Sequence, residues 1–209
     1  MGVHALVLAA GQGHRFGGDK LHALYRSRPL LSHVLAVVRA GCSQGLLHGG
    51  NVVIAAGDDR AATLVTMAGL TAVVNDAPDL GLSHSLRLGL ASLESGTAGE
   101  AGSALIFLGD QPLVRLGVIV QLVQAWDLDA GSIIRPRYQA RPNAPGHPVL
   151  LPRRMWPLAG HLEGDLGLRA LPEWAASRTV LLDVAGDNPD VDTPADLQAL
   201  ENRELGVRR

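Results

Sequence analysis

The sequence predicts an α/β fold, a doubly wound, mostly parallel sheet with helices on both faces. Three observations predict it. Short apolar runs recur along the chain and alternate with stretches of helical period. The runs show little polar alternation, as expected of strands covered by helices on both sides. The first run passes directly into glycines and basic residues, the chemistry of a strand end that meets an anion.

The elements follow in order. Residues 5–10, 51–56, 71–75 and 104–108 read as buried strands, rich in Val, Ile, Leu and Ala. Between them, residues 29–39 read as a helix with Leu30, Leu31, Val34, Leu35 and Val38 on one face. Residues 58–68, 83–93 and 116–126 read as further helices. Residues 94–103 are small and polar, with three glycines counted through their neighbours at 96, 99 and 102, and read as a surface loop. Residues 131–135 and 179–184 read as later strands. Residues 136–152 carry five prolines and read as irregular or edge structure, a lid or a substrate-facing excursion. A last helix starts at Pro194, with Thr193 as its N-cap. The expectation is a single domain over residues 1–209, with a nucleotide-binding half to about residue 112 and an acceptor-side half beyond it, to about 205.

Composition narrows the function. Hydrophobic residues make up 47% of the 209 residues and aromatics only 3%, so aliphatic side chains must fill the core. A net charge of −2, with no basic stretch carrying interleaved aromatics, gives no reason to expect nucleic acid as a partner. Cys42 is the single cysteine, which rules out an intrachain disulfide and a zinc cluster and fits a reducing cytoplasm. The N-terminus does not read as a signal peptide, and no apolar stretch approaches membrane-spanning length. The expected location is cytoplasmic, with no membrane partner.

The opening segment reads Leu8-Ala9-Ala10-Gly11-Gln12-Gly13-His14-Arg15-Phe16-Gly17-Gly18-Asp19-Lys20. A Walker loop needs Ser or Thr after its lysine, and Leu21 stands there. A dinucleotide fingerprint needs a third glycine where Phe16 stands. What remains is a glycine-rich loop with two cations, suited to a triphosphate. Four further motifs follow: Gly81-Leu82-Ser83-His84-Ser85, Gly109-Asp110-Gln111-Pro112, Pro145-Gly146-His147-Pro148 and Gly164-Asp165-Leu166-Gly167-Leu168-Arg169, before Val191-Asp192-Thr193-Pro194 near the end. Ligands in open α/β sheets gather at the carboxyl ends of strands, so Asp110 should share a crevice with residues 11–20.

In this order and at these spacings, the chain resembles the molybdenum cofactor nucleotidyltransferases, most of all the cytidylyltransferase branch, from about residue 5 to about residue 200. The resemblance implies a Rossmann-like fold and Mg²⁺-dependent transfer of CMP from CTP to molybdenum cofactor (a molybdopterin phosphate), releasing pyrophosphate. It implies CTP and a molybdopterin-type cofactor as partners, with a molybdoenzyme apoprotein or its chaperone as recipient. By the same resemblance, Leu8, Ala9, Ala10, Gly11 and Gly13 would line the nucleotide, and Ser85 would contact the base. Arg15 and Lys20 would hold the triphosphate. Asp110 would bind both nucleotide and metal; for the second carboxylate that magnesium can use, Asp192 and Asp165 compete. His147, Asp165 and Arg169 would face the acceptor.

The residues also keep other readings open. Asp192 could serve a turn that feeds the last helix. Asp165 could cap a helix over residues 166–171. Ser83 and His84 could be cap residues, and His147 a hydrogen-bonded loop histidine. The doubled Gly17-Gly18 before Asp19-Lys20 is similar to the guanylyltransferase branch, whereas Ala10 stands where that branch usually has glycine. A GTP-using guanylyltransferase and a non-catalytic nucleotide- or cofactor-binding homologue remain as alternatives. A nicotinamide oxidoreductase is disfavoured by Phe16 and by the place of Asp58 and Asp59, beyond Gly57.

Overall fold

A computed structural model describes residues 2–96, 101–144, 146–167, 174 and 176–204. Its centre is a seven-stranded sheet built from β1 (Gly2–Ala9), β4 (Gly50–Ala55), β5 (Thr71–Asn75), β6 (Ala101–Leu108), β7 (Ile133–Tyr138), β8 (Val149–Pro152) and β9 (Thr179–Val184). The spatial order is β5-β4-β1-β6-β8-β7-β9. Every neighbouring pair is parallel except those made by β8, which runs antiparallel to both β6 and β7. A small hairpin of β2 (Leu24–Tyr25) and β3 (Arg28–Pro29) leads into α1 (Leu30–Ser43). Further helices with described bounds are α2 (Asp59–Met67), α3 (Leu82–Ser95), α4 (Leu116–Leu128) and α5 (Pro194–Glu204).

Successive side chains on a strand point to opposite faces, and β1 shows the consequence. Val3, Ala5, Val7 and Ala9 pack with α1, α2 and α4 through Leu31, Val34, Val65, Ile119 and Leu122. Leu6, Leu8 and Ala10 pack on the other side with Leu86, Leu90 and Leu93 of α3 and with Met155 and Trp156. Burying each of these larger side chains stabilises the fold by roughly 1.5–3 kcal/mol. A sheet lined on both faces in this way explains the unbroken apolar runs.

Gly89 lets α3 settle on the sheet. A Cβ there would lie 2.4 Å from Leu6 Cδ1. That close approach seats the first turn of α3, with Ser85, at the carboxyl end of β1. Asp58 caps α2 by accepting the Ala61 amide at 2.9 Å and also meets the buried His22 ring at 2.9 Å. The acid that could have suggested a dinucleotide site is thus occupied in structural work.

Two expectations need correction. Residues 94–103 are not all loop: α3 continues to Ser95, and β6 already starts at Ala101. Their small side chains fit a strand pressed between β1 and its other neighbour, where Gly2 pairs with Ala101 and Val3 with Ser103. Residues 136–152 are not simply irregular. β7 runs through Pro136 to Tyr138, and Val149–Pro152 enters the sheet interior as β8, fully buried. Pro148 and Pro152 sit at the limits of β8, where a missing N–H costs little. The strand read at 131–135 lies two residues later, and β1 begins three residues earlier than read.

Candidate functional site

The glycine loop leaves β1 and folds back on itself. Gly13 adopts φ 62°, and its carbonyl accepts the amides of both Phe16 (2.8 Å) and Gly18 (3.2 Å). Gly17 and Gly18 hold φ 90° and 95°, a region that side chains rarely adopt. Asp19 follows in the left-handed region at φ 51°, which Asp tolerates better than most residues. The chain then enters a short 3₁₀ turn, Lys20–His22, with the lysine aimed inward.

Asp110 approaches from β6. Gly109 donates its amide to the Leu8 carbonyl at 2.9 Å, and a Cβ there would press within 3.1 Å of Ala9 Cβ. A glycine therefore lets the β6 turn rest against the end of β1. The Asp110 carbonyl accepts the Val191 amide at 3.1 Å, which brings in the segment before α5. Gln111 reinforces that join by donating to Asp190 (2.7 Å) and accepting from Asn188 (3.1 Å).

Four charged side chains meet there. Lys20 Nζ lies 2.6 Å from Asp110 Oδ2 and 3.1 Å from Asp192 Oδ1. Arg15 Nη1 lies 3.2 Å from Asp192 Oδ2. Burial drives the Asp110 carboxyl above the usual carboxylate range; Lys20 opposes this without cancelling it, and nearby Asp190 adds to it. Burial also works against the Lys20 ammonium, but Asp110 and Asp192 together outweigh it and hold that group above the ordinary lysine value.

Asp192 does not serve the turn before α5. Thr193 and Asp196 do, in a reciprocal capping box: Thr193 Oγ1 accepts the Asp196 amide (3.2 Å), and Asp196 Oδ2 accepts the amides of Thr193 (2.7 Å) and Asp192 (3.1 Å). The Asp192 carboxylate is left to face the cations. Thr193 does act as the expected cap.

The residues present fit a magnesium ion. Asp110 Oδ1 is buried with no hydrogen-bond partner among the described residues, and Asp192 lies across the same ammonium. Magnesium keeps several waters and needs only one or two carboxylates. Among the described residues no group of three or more His, Cys, Asp or Glu gathers to hold a metal, so a closed cage is not the arrangement on offer.

These groups border a cavity of about 590 Å³ at the carboxyl ends of β1 and β6. Leu8, Ala9, Ala10, Gly11 and Gly13 form one wall. Arg15, Lys20, Asp110 and Asp192 form the charged end, and Ser85 of α3 and Asp165 also line the cavity. Ser85 Oγ accepts from Asn75 Nδ2 at 3.0 Å. A second cavity of about 380 Å³ adjoins the first through Leu8, Leu82, Leu108, Asp165 and Asp190. His147 lines it, with its backbone carbonyl accepting the Tyr138 hydroxyl at 2.9 Å. The Arg135 guanidinium lies 5.8 Å from the centre of the Trp174 ring on the same cavity.

The helix read over 166–171 lies mostly outside the described residues. The Asp165 carboxylate accepts the Leu82 amide at 3.1 Å, so it caps α3 across the crevice. Gly81 permits the contact: a Cβ there would lie 2.4 Å from the Gly164 carbonyl carbon. Neither Ser83 nor His84 supplies a side-chain cap, and Ser83 Oγ is buried without a partner. Arg169 and Pro145 lie outside the described residues.

Sequence reading passed over Gln12, Asp79, Asp190, Arg135 and Trp174. Gln12 and Asp79 line the larger cavity and join at 2.6 Å. Asp190 stood two residues before a singled-out aspartate, which was the one local signal for it. Arg135 and Trp174 are 39 residues apart in sequence and carry none.

A family model described as a MobA-like NTP transferase domain matches residues 5–192. The structure of Rv0371c from Mycobacterium tuberculosis is similar, with 27% identity, a TM-score of 0.75, and 96% of this chain and 97% of that one covered. The same protein has been solved in complex with manganese, at 26% identity, TM-score 0.75, and 96% and 98% coverage. Its homologue from Mycobacterium sp. strain JC1 gives 27%, a TM-score of 0.80, and 99% and 98% coverage. The bifunctional protein GlmU of Pelotomaculum thermopropionicum is 32% identical over 127 residues, covering 58% of this chain and 25% of GlmU. The chain thus spans about a quarter of the length of the curated relatives it matches.

Proposed function

The chain belongs to the MobA-like NTP transferase domain family and is a nucleotidyltransferase of Rossmann-like fold, and from that premise we propose that it moves CMP from CTP onto a phosphate of a molybdopterin-type cofactor and releases pyrophosphate. The observation that supports this best is the meeting of Lys20 and Arg15 with Asp110 and Asp192 at the end of a backbone-lined cavity.

The reaction asks little of acid–base chemistry. An acceptor phosphate is already largely ionised at neutral pH, so no nucleophile–base pair is needed. The obstacle is bringing one anion to a polyanion. Lys20 and Arg15 supply positive charge to the triphosphate, and positioning aligns attack with the departing pyrophosphate. Asp110, with Asp192, would hold Mg²⁺, which supplies further neutralisation of the phosphates when bound. Gly11 and Gly13 bring backbone close to the ribose and phosphates. Ser85 accepts from Asn75, which leaves its hydroxyl proton for the base.

Base selectivity falls to Ala10. It forms part of the cavity wall and is 3% exposed. Its methyl group crowds a purine more than a pyrimidine, which favours CTP over GTP. The adjoining cavity, with His147, Asp165, Arg135 and Trp174, is the acceptor side in this reading. A GTP-using enzyme is the second reading, favoured by the doubled Gly17–Gly18 before Lys20.

The test is pyrophosphate release with each of CTP, GTP, ATP and UTP, with Mg²⁺ and the molybdopterin-type cofactor present. CTP should be turned over fastest. Faster turnover of GTP moves the protein to the guanylyltransferase branch. Release from no nucleotide when this cofactor is added removes the proposed acceptor.

A further inference from the structure

The two carboxylates that would hold the metal are already covered by the two cations that would hold the triphosphate. Lys20 faces one oxygen of Asp110 and one of Asp192, and Arg15 faces the other oxygen of Asp192. The last oxygen, Asp110 Oδ1, is buried and unpartnered. The Lys20–Asp110 contact is the tight half, with 12% and 19% of the two side chains exposed. The Arg15 contact is the loose half, since that side chain is 78% exposed. Removing one member of a buried pair strands the other as an unpaired charge, which is strongly unfavourable.

We propose that Lys20 and Arg15 guard the metal seat in the nucleotide-free protein, and that metal and nucleoside triphosphate enter by an exchange of partners. The phosphates take the two cations while the metal takes the two carboxylates. The divalent metal matches the two carboxylates, and the two cations offset part of the triphosphate's charge. Metal alone meets carboxylates that are already neutralised. Nucleotide alone must draw Lys20 away and leave Asp110 buried without a partner. Each ligand removes the obstacle to the other, so their binding is positively coupled, and by linkage the coupling is reciprocal. The proposal rests on the nucleotidyltransferase reading for the kind of ligand, but not on the base or the acceptor.

The experiment measures Mn²⁺ binding by electron paramagnetic resonance with no nucleotide present. It is therefore blind to whether CTP or the cofactor is the true substrate, which the pyrophosphate assay decides separately. Lys20→Met keeps the buried stem and removes the charge; it should bind Mn²⁺ at least about tenfold more tightly than the unmodified protein. Arg15→Gln, at an exposed side chain, should tighten it about two- to threefold. Mn²⁺ affinity unchanged or weaker in Lys20→Met overturns the proposal. Should Lys20→Met fail to fold, as judged by its melting curve, Arg15→Gln decides alone, and an unchanged Mn²⁺ affinity there overturns it.

Discussion

The two ends of the crevice are built in opposite ways. At the β1 end, charges face charges: Lys20 and Arg15, on a glycine-rich loop, against Asp110 and Asp192. At the β7 and β8 end, a guanidinium lies over the Trp174 ring, and leucines form the floor beside Tyr138 and His147. The first end suits a polyanion that arrives with metal. The second suits a group with a flat or apolar body, with Arg135 and Arg141 beside it. The difference teaches where chemistry and recognition are divided: substitutions at the charged end should cost turnover, and those at the aromatic end should cost acceptor binding.

Asp110→Asn puts that division under the greatest strain. It removes the buried charge proposed to bind the metal but keeps the shape, and Lys20 retains Asp192. A metal's charge stabilisation of several kcal/mol corresponds to about 10³-fold in rate. Steady-state kinetics should show a loss of that order, with little change in melting temperature without ligand. Near-normal Mg²⁺-dependent turnover would remove Asp110 from the metal site.

Lys20→Ala should lower kcat on the order of 10²-fold, as loss of one preorganised donor typically does. Arg15→Ala should lower it less, because that side chain is largely in solvent. Normal rates in both would make the loop a structural turn.

The next effect sits at the aromatic end and is read in stability. Burial pushes the Tyr138 phenol up to about 12. An unfolded tyrosine titrates near pH ~10. The folded value is the raised one, so the neutral phenol's contribution is full below that pH and is lost as pH rises towards about 12. The loss amounts to at most ~2–3 kcal/mol. Tyr138→Phe should abolish this part of the alkaline decline in melting temperature. An identical decline in both proteins would show that Tyr138 is not the group responsible.

Trp174→Ala sharpens the comparison further. Removing a partly buried cation–π partner is worth about 1–2 kcal/mol, or roughly tenfold. It should appear in KM for the acceptor, with KM for CTP unchanged. An equal change in both would merge the two ends into one site. Ala10→Gly is the smallest expected effect. It should relax the CTP preference over GTP by at most ~1–3 kcal/mol without inverting it, as measured by competition between the two nucleotides.

The charged end was legible because its parts are local. Residues 8–20 are contiguous, and glycines with two cations state their purpose in one stretch. Asp110 closes a buried strand, where an acid has little structural work to do. The aromatic end was legible only at His147, through its Gly-His-Pro motif, since Arg135 and Trp174 join it only after β8 has inserted between β6 and β7. The five prolines around β8 argued for an irregular segment, and a four-residue strand flanked by prolines carries no periodicity long enough to answer them.

The sequence by itself determined the doubly wound sheet, the glycine-rich loop with its two cations and the placing of Asp110 beside it. Those follow from apolar runs, glycine conformations and strand-end geometry, all short-range properties. Only the tertiary structure decided which acids act where. Asp192 faces Lys20 because Asp196 has taken the capping of α5, and Asp165 caps α3 because Gly81 and Gly164 let two distant turns touch. An isolated carboxylate suits a cap, an ion pair or a metal equally well. What separates them is which donor lies within about 3 Å, and that is fixed by packing between segments far apart in the chain.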